Sequence, residues 1–390
     1  MKTKQIWLRR SIWALFTLWL MLQIAVVVSV DGQGASLVDF ASYERAAQAL
    51  KVQRSLYGDA ADVQSTWRFY HASEQELLQA PDQTARAALV ARNGQQPQRP
   101  GPYLYPPSLA MFVGFFGVTG VAFGVVTALA IGIFAWLWLK STQRHPAWLL
   151  LIIGSLEVSN TLQGGNVELI LLAITLGGAW LLWHQHGLGA APLIAVAIAI
   201  KPFYLLFFVA LAALQLGAGA PRRQTLRTLL AASAASLLLI GLEILHWGAG
   251  LRSQTFAYLR NAFDYQWFGL PASQQTPMSI WNRTPLQALI SAGVDLSAAQ
   301  WMAVLLWALC VLLTLWACRA TPLSFPLAFA LALCLLYIGR PIGWTLLYLD
   351  LVLLTVAWPH LVRRHRYVLM SITVGVMLSR WWAFGLTAQG

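Results

Sequence analysis

The stretch IWALFTLWLMLQIAVVVSV, residues 12–30, decides the class of fold. A helix of about twenty apolar residues is long enough to cross the hydrocarbon core of a bilayer. Four basic residues precede the stretch: Lys2, Lys4, Arg9 and Arg10. Such residues mark the cytoplasmic flank of a membrane helix. Since Val28-Ser29-Val30 is a poor match to a signal-peptidase site, we predict an uncleaved signal anchor with a cytoplasmic N-terminus.

The composition of the whole chain also indicates a membrane protein. Of 390 residues, 58% are hydrophobic and 10% are charged, whereas a soluble domain is about 45–50% apolar and about 25% charged. These values exclude a water-soluble enzyme, a disordered chain and a disulfide-rich secreted scaffold. The net charge of +12 comes from basic residues that separate hydrophobic runs, which is typical of orientation signals. The sequence therefore predicts an all-α polytopic integral membrane protein whose partner is the lipid bilayer and not a nucleic acid.

Hydrophobic runs alternate with short basic segments along most of the chain. Placing the basic segments in the cytoplasm predicts about eleven transmembrane helices, within a range of about nine to twelve. The run at 108–139 is too long for one straight crossing, which predicts a short entry helix or a steep tilt. The predicted spans are residues 12–30, 108–139, 146–159, 166–183, 189–200, 202–216, 228–246, 299–318, 322–338, 343–358 and 367–385.

We expect one membrane domain over residues 1–390, with large extracytoplasmic loops at 31–105 and 247–298. Four apolar residues in the first loop recur at helical spacing: Phe40, Tyr43, Ala47 and Leu50. This spacing predicts an amphipathic helix over 39–51 that lies along the membrane surface. A second surface helix is predicted over 62–79.

The predicted topology places several polar residues at the external membrane boundary. They are Asp39, Tyr105, residues 160–168, Lys201, Asn282, Arg283 and residues 340–344. Polar groups at membrane depth are unfavourable and are therefore functional candidates. Because these residues come from distant parts of the chain, their placement on one face predicts a site at the external membrane surface.

Two interpretations stay open for each of the main candidates. Asp39 either caps the surface helix or, made more basic by partial desolvation, takes the proton of a hydroxyl acceptor. Glu44 and Asp59 on the same loop are weaker alternatives for that base. Lys201 either extends to the interface as helix-end lysines do or, as a lone cation between two crossings, binds a phosphate. Arg283 and Arg340 offer the same phosphate chemistry with a planar fork. Glu168 either binds sugar hydroxyls or faces water.

Metal and cofactor chemistry has little support in the sequence. The histidines are scattered, and His184 and His186 occupy a short turn that we interpret as solvated. The three cysteines lie in late apolar runs without CxxC spacing, which favours small buried apolar side chains. We expect no metal and no cofactor.

Five segments, in this order, resemble glycosyltransferase family 87, also called DUF2029, the polyprenol-phosphate-mannose-dependent mannosyltransferases of the GT-C membrane fold. The first is DFASYERAA at 39–47, followed by Ser55-Leu56-Tyr57. The next two are Tyr105-Pro106-Pro107 and Gly165-Asn166-Val167-Glu168. Ala199-Ile200-Lys201-Pro202 and Arg340-Pro341-Ile342-Gly343-Trp344 complete the set. The resemblance covers nearly the whole chain.

The resemblance implies an inverting hexosyltransferase of the cell (plasma or inner) membrane with an extracytoplasmic active site. Its donor would be a polyprenyl-phosphate-linked sugar and its acceptor a lipid or glycan hydroxyl. Asp39 would be the general base, and Lys201, with Arg283 or Arg340, would bind the donor phosphate. We expect the other polar residues of the site to contact substrate: Tyr43, Tyr105, Asn166, Glu168, Asn282 and Trp344.

This chain departs from the pattern of the family at several positions that line the expected pocket. Asn166 stands where glutamine is usual, and Glu168 where asparagine is usual. Arg340 and Gly343 replace serines, and a histidine-bearing stretch after Trp344 is missing. These changes bear on donor or acceptor identity rather than on reaction type. The alternative functions are a transporter or lipid flippase, although no inverted hydropathy repeat is visible, and a lipid-diphosphate-dependent glycan ligase or polymerase.

Overall fold

The computed structural model describes residues 2–32, 38–52, 56, 84–85, 105–219, 221–247, 285–318, 323–339, 349–368, 370–371 and 373–374. Regular structure in this part of the chain is helical. The α-helices are α1 (Lys2–Gly32), α2 (Val38–Lys51), α3 (Pro107–Phe116), α4 (Gly120–Thr142), α5 (Leu149–Ile153), α6 (Leu156–Gln163), α7 (Glu168–Trp183), α8 (Gly187–Ile200), α9 (Tyr204–Gly217), α10 (Arg222–Trp247), α11 (Pro285–Ser291), α12 (Leu296–Cys318), α13 (Phe325–Gly339) and α14 (Leu349–Ala357). The predicted helix over 62–79 lies outside the described residues.

Three of the described helical stretches are long and apolar enough to cross a membrane: Ile6–Ser29, Gly120–Thr142 and Ser297–Cys318. Five shorter apolar helices accompany them, namely α3, α7, α8, α9 and α13. This helical, apolar architecture agrees with a membrane protein. The number of crossings and their orientation stay predictions.

The long run at 108–139 is divided into an entry helix and a long helix, which confirms one of the two predicted solutions. Helix α3 has Pro107 in its first turn and ends at Gly117, whose φ of 57° is in the left-handed region that glycine adopts readily. Helix α4 begins after Thr119, whose hydroxyl oxygen accepts a hydrogen bond from the Ala122 N–H at 3.2 Å. Glycine and threonine together therefore end one helix and start the next.

The run at 146–159, predicted as one span, is instead broken into short pieces. A 3₁₀ turn at Pro146–Trp148 precedes α5, and α5 ends at Gly154 before α6 begins. The hydroxyl oxygen of Ser155 accepts a hydrogen bond from the Val158 N–H at 3.3 Å. This local bond competes with helix continuation, as serine side chains commonly do.

Helix α2 is amphipathic as predicted, but protein covers its apolar face where we expected the membrane surface. The buried side chains are Phe40, Tyr43, Ala47 and Leu50. Helices α3 and α4 pack against them, and the Phe40 ring lies 5.0 Å from the Phe123 ring of α4. The opposite side of α2, with Glu44 and Arg45, is exposed. Periodicity identifies an apolar face but not what covers it.

Helices α7, α8 and α9 follow one another through short turns, and α7 packs along α8. Because α7 and α8 form a hairpin, the first residue of α7 lies beside the residue that follows α8. These residues are Glu168 and Lys201. Helix α9 begins three residues later at Tyr204. The topology thus brings three polar side chains to one end of the helix group.

Candidate active site

Asp39 lies in the first turn of α2 and is held by the segment before α7. Its backbone N–H donates to the Gly164 carbonyl oxygen at 2.9 Å, and its carboxylate Oδ2 accepts from Asn166 Nδ2 at 2.9 Å. Helix α2 begins at Val38, one residue earlier. The arrangement therefore differs from the helix-cap alternative, because the carboxylate binds a side chain distant in sequence.

Asn166 connects the two carboxylates of the site. Its Nδ2 donates to Asp39, while its Oδ1 accepts the Glu168 N–H at 2.9 Å. The second bond satisfies a backbone donor in the first turn of α7, which has no partner within its own helix. One amide side chain thereby fixes Asp39 relative to the start of α7.

Glu168 and Lys201 form an ion pair, which corrects the expectation that Lys201 is a lone cation. Lys201 Nζ donates to Glu168 Oε2. Their side chains are only 15% and 17% exposed, and a charge removed from water to that extent needs a partner. The second carboxylate oxygen, Oε1, accepts the Tyr204 hydroxyl at 3.0 Å. Both carboxylate oxygens of Glu168 therefore bind protein side chains, and a contact of Glu168 with a sugar stays a prediction.

Two tyrosines complete the described part of the site. The Tyr43 hydroxyl accepts the Val167 N–H at 3.3 Å, and the Tyr105 ring meets the Tyr43 ring edge-on with centroids 5.1 Å apart. Lys201 Nζ lies 5.6 Å from the centroid of the Tyr105 ring, within cation–π range. Tyr43 and Tyr105 therefore connect α2, the helix of Asp39, to Lys201.

Burial determines the acid–base character of Asp39. Desolvation raises the pKa of its carboxyl above the ordinary aspartate value, while the Asn166 hydrogen bond and the Lys201 charge act in the opposite direction. Burial, with neighbouring Tyr105 and Asp39, also raises the pKa of Tyr43 well above its ordinary value. The site thus offers a carboxylate that is more basic than an exposed one beside a neutral phenol.

Asp39 also has an oxygen available for chemistry. Among the described residues, none donates a hydrogen bond to its Oδ1. The carboxylate of Glu168, in contrast, uses one oxygen for Lys201 and the other for Tyr204. Of the two carboxylates, Asp39 is the one that keeps an oxygen without a described hydrogen-bond donor.

Six of the residues predicted from sequence lie together in the structure: Asp39, Tyr43, Tyr105, Asn166, Glu168 and Lys201. The other four, Asn282, Arg283, Arg340 and Trp344, lie outside the described residues. Tyr204 was missed by the sequence reasoning, although its position one helical turn after Lys201 is a usable signal. Within the described chain, no group of three or more His, Cys, Asp or Glu side chains could hold a metal ion.

Comparison with known proteins assigns the chain to a family. The model of glycosyltransferase family 87 matches residues 103–338, which is more than half of the chain. The matched range includes Tyr105, Asn166, Glu168, Lys201 and Tyr204, and it begins after α2. The searches of curated proteins and of solved structures gave no match.

Proposed function

The chain belongs to glycosyltransferase family 87, and from that premise we propose a substrate class and a mechanism for this membrane glycosyltransferase. It transfers a sugar, with mannose as the first choice, from a polyprenyl-phosphate donor to a hydroxyl of a lipid or glycan acceptor. The reaction takes place at the extracytoplasmic face of the cell membrane. The observation that carries this proposal is the linked set of Asp39, Asn166, Glu168 and Lys201 at one end of apolar helices.

Asp39 is the general base of the proposed reaction. Its Oδ1 takes the proton of the acceptor hydroxyl as the acceptor oxygen attacks the anomeric carbon. The bond between that carbon and the phosphate oxygen breaks, and polyprenyl phosphate leaves with the electron pair. Because attack comes from the face opposite the leaving group, this single displacement inverts the anomeric centre. The basicity that burial confers on Asp39 suits this role.

The leaving phosphate needs cationic partners, and Lys201 is the first of these. Its ion pair with Glu168 holds the ammonium in place and charged at a partly desolvated position. Among the described residues, the site contains two acidic side chains, Asp39 and Glu168, and one cation, Lys201. An added phosphate therefore requires more positive charge, and we assign Arg283 and Arg340 to that task on the basis of sequence.

The aromatic side chains contribute shape rather than charge. Tyr105 is partly exposed, packs on the fully buried Tyr43 and lies next to Lys201, and an amphipathic ring of this kind suits a sugar at the lipid boundary. Asn282 and Trp344 are further proposed substrate contacts. The mechanism uses no cofactor.

The test is transfer activity in membranes that contain the full chain and a radiolabelled polyprenyl-phosphate mannose. Asp39→Asn should lower the transfer rate by at least about 100-fold, the range that general bases contribute. Glu44→Gln, an exposed change on the same helix, is the matched control and should retain the wild-type rate. Full activity in Asp39→Asn would remove Asp39 as the base.

Two further measurements distinguish the proposed transfer from the alternative functions, a glycan ligase or polymerase and a flippase. A preference for diphosphate over monophosphate lipid donors would point to a glycan ligase or polymerase. Movement of the labelled donor across sealed vesicles without sugar transfer would identify a flippase. The proposal requires transfer from the monophosphate donor in both experiments.

A further inference from the structure

A cavity lies far from the candidate active site. It has a volume of about 730 Å³ and is formed by the turn that enters α8 and the first turns of α10. Helix α8 begins at Gly187 beside this cavity and ends next to Lys201. Its 14 residues at about 1.5 Å each separate the two places by about 20 Å. They therefore lie at opposite ends of the same helix.

The walls of the cavity are held together by close contacts between α8 and α10. A Cβ atom at Gly187 would lie 2.4 Å from Thr228 Oγ1, so a larger residue would require the Thr228 side chain to move. The side-chain amide of Gln224 donates to the Gln185 carbonyl oxygen and joins α10 to the turn before α8. Within α10, the Thr228 hydroxyl donates to the Gln224 carbonyl oxygen at 3.0 Å. The cavity is thus a built feature of this helix pair.

The cavity is basic. Arg223 and Arg227 line it from successive turns of α10 and are exposed. In the part of the chain that the structure describes, neither guanidinium forms an ion pair, and no acidic residue lines the cavity. His186 lines the opposite wall. Two planar guanidinium forks four residues apart suit the oxygens of one phosphate group.

Exposed leucines accompany the arginines. Leu188 lines the cavity and is 93% exposed. On α10, Leu226 lies between the two arginines and is 52% exposed, and Leu230 follows Arg227 and is 68% exposed. The guanidinium groups match the phosphate of a phospholipid, and the neighbouring exposed leucines match its acyl chains.

We propose that this cavity binds an anionic phospholipid, with the phosphate between Arg223 and Arg227 and an acyl chain along Leu188 and Leu230. The lipid lies in the leaflet opposite to the candidate active site. This site is independent of the sugar transfer proposed above, so its test does not require transferase activity.

The experiment measures lipid binding to the purified full chain in an uncharged detergent by native mass spectrometry. The probes are dioleoyl phosphatidylglycerol and, for comparison, dioleoyl phosphatidylcholine. Removing both arginine charges in the double variant Arg223→Gln, Arg227→Gln should weaken phosphatidylglycerol binding by about 30-fold, the combined effect of two cations near a phosphate. Phosphatidylcholine should bind more weakly than phosphatidylglycerol to the wild type.

Arg222→Gln provides the matched control, because Arg222 is exposed on the same turn but does not line the cavity. It should change binding by less than about twofold. An equal loss in Arg222→Gln and in the double variant would overturn the proposal, because general attraction to a basic helix end would then suffice. Size-exclusion profiles and helical circular dichroism establish that each variant is folded.

Leu188→Gln separates a lipid from a soluble phosphate. It should weaken phosphatidylglycerol binding, and glycerol 3-phosphate should compete poorly with the lipid. Equal competition by glycerol 3-phosphate, or unchanged lipid binding in Leu188→Gln, would overturn the lipid assignment.

Discussion

The substitution Glu168→Gln tests the ion pair at the centre of the candidate site. It keeps the size of the side chain and an oxygen for the Tyr204 hydroxyl, but it removes the negative charge that faces Lys201. Both charged side chains are less than one-fifth exposed, at 15% and 17%. Solvent and salt therefore screen this pair less than a surface pair.

The expected loss of stability follows from that burial. A hydrogen bond to a charged group contributes about 1.5–3 kcal/mol, and an ammonium left without its carboxylate at a desolvated position is unfavourable. Because the single oxygen of glutamine lies at the Tyr204 hydroxyl, Lys201 loses its acceptor, and we expect the free energy of unfolding to fall by about 1–3 kcal/mol. Glu44→Gln, exposed on α2, should change it by less than about 0.5 kcal/mol. Unfolding of the purified variants in one detergent measures both values.

The same variant distinguishes the roles of the two carboxylates. If Lys201 binds the donor phosphate, loss of the competing Glu168 charge should leave the KM for donor equal to or below that of wild type. The kcat should stay within about tenfold of wild type, whereas Asp39→Asn should lose at least about 100-fold. A kcat loss in Glu168→Gln as large as in Asp39→Asn would refute the assignment of the base. Unchanged stability would refute the ion-pair argument.

Three further predictions concern protonation and packing. Because burial raises the pKa of Asp39, kcat/KM should rise with pH through a pKa above the ordinary aspartate value. Burial of the charged carboxylate also lowers stability at neutral pH, so Asp39→Asn should raise the thermal unfolding midpoint there. Below the unfolded-state pKa the aspartate is neutral in both states, and the variant should bring no such gain. Asn166→Ala removes a hydrogen bond that lowers this pKa, so the acidic limb of the pH–rate profile should move to higher pH. Thr355→Val leaves the buried Trp138 indole N–H without its acceptor at 2.9 Å and should cost about 1–3 kcal/mol of unfolding free energy.

Much of the helical architecture could be predicted because apolar runs and their interruptions are local properties of the chain. The length of the run at 108–139 required a break, and glycine at position 117 provides it. The break at Gly154 and Ser155 was not predicted, because neither residue interrupts hydrophobicity enough to divide a run. The burial of α2 was also out of reach, since its amphipathic pattern is the same whether lipid or protein covers the apolar face.

The candidate site shows the same division between what topology determines and what packing determines. Topology sets which ends of helices lie on one face, and this was enough to group Asp39, Asn166 and Lys201. Which atoms meet depends on helix rotation and on side-chain rotamers. The sequence pattern therefore does not predict the Asn166 bridge between Asp39 and the Glu168 N–H. It also does not predict the hydrogen bond from the Tyr204 hydroxyl to Glu168.

Physical reasoning alone nevertheless predicts that Lys201 has an acidic partner. A lone ammonium at the membrane boundary is unfavourable, so a nearby carboxylate was to be expected at the same helix ends. Glu168 is that carboxylate. The same requirement applies to Arg283 and Arg340, which the predicted topology places on this face. In the proposed mechanism Asp39 keeps an oxygen available as the base, so we propose a donor phosphate as the anion that pairs with these arginines. Charge balance at the membrane boundary is thus a second argument, beside the motifs, for the phosphate-bearing donor that we propose.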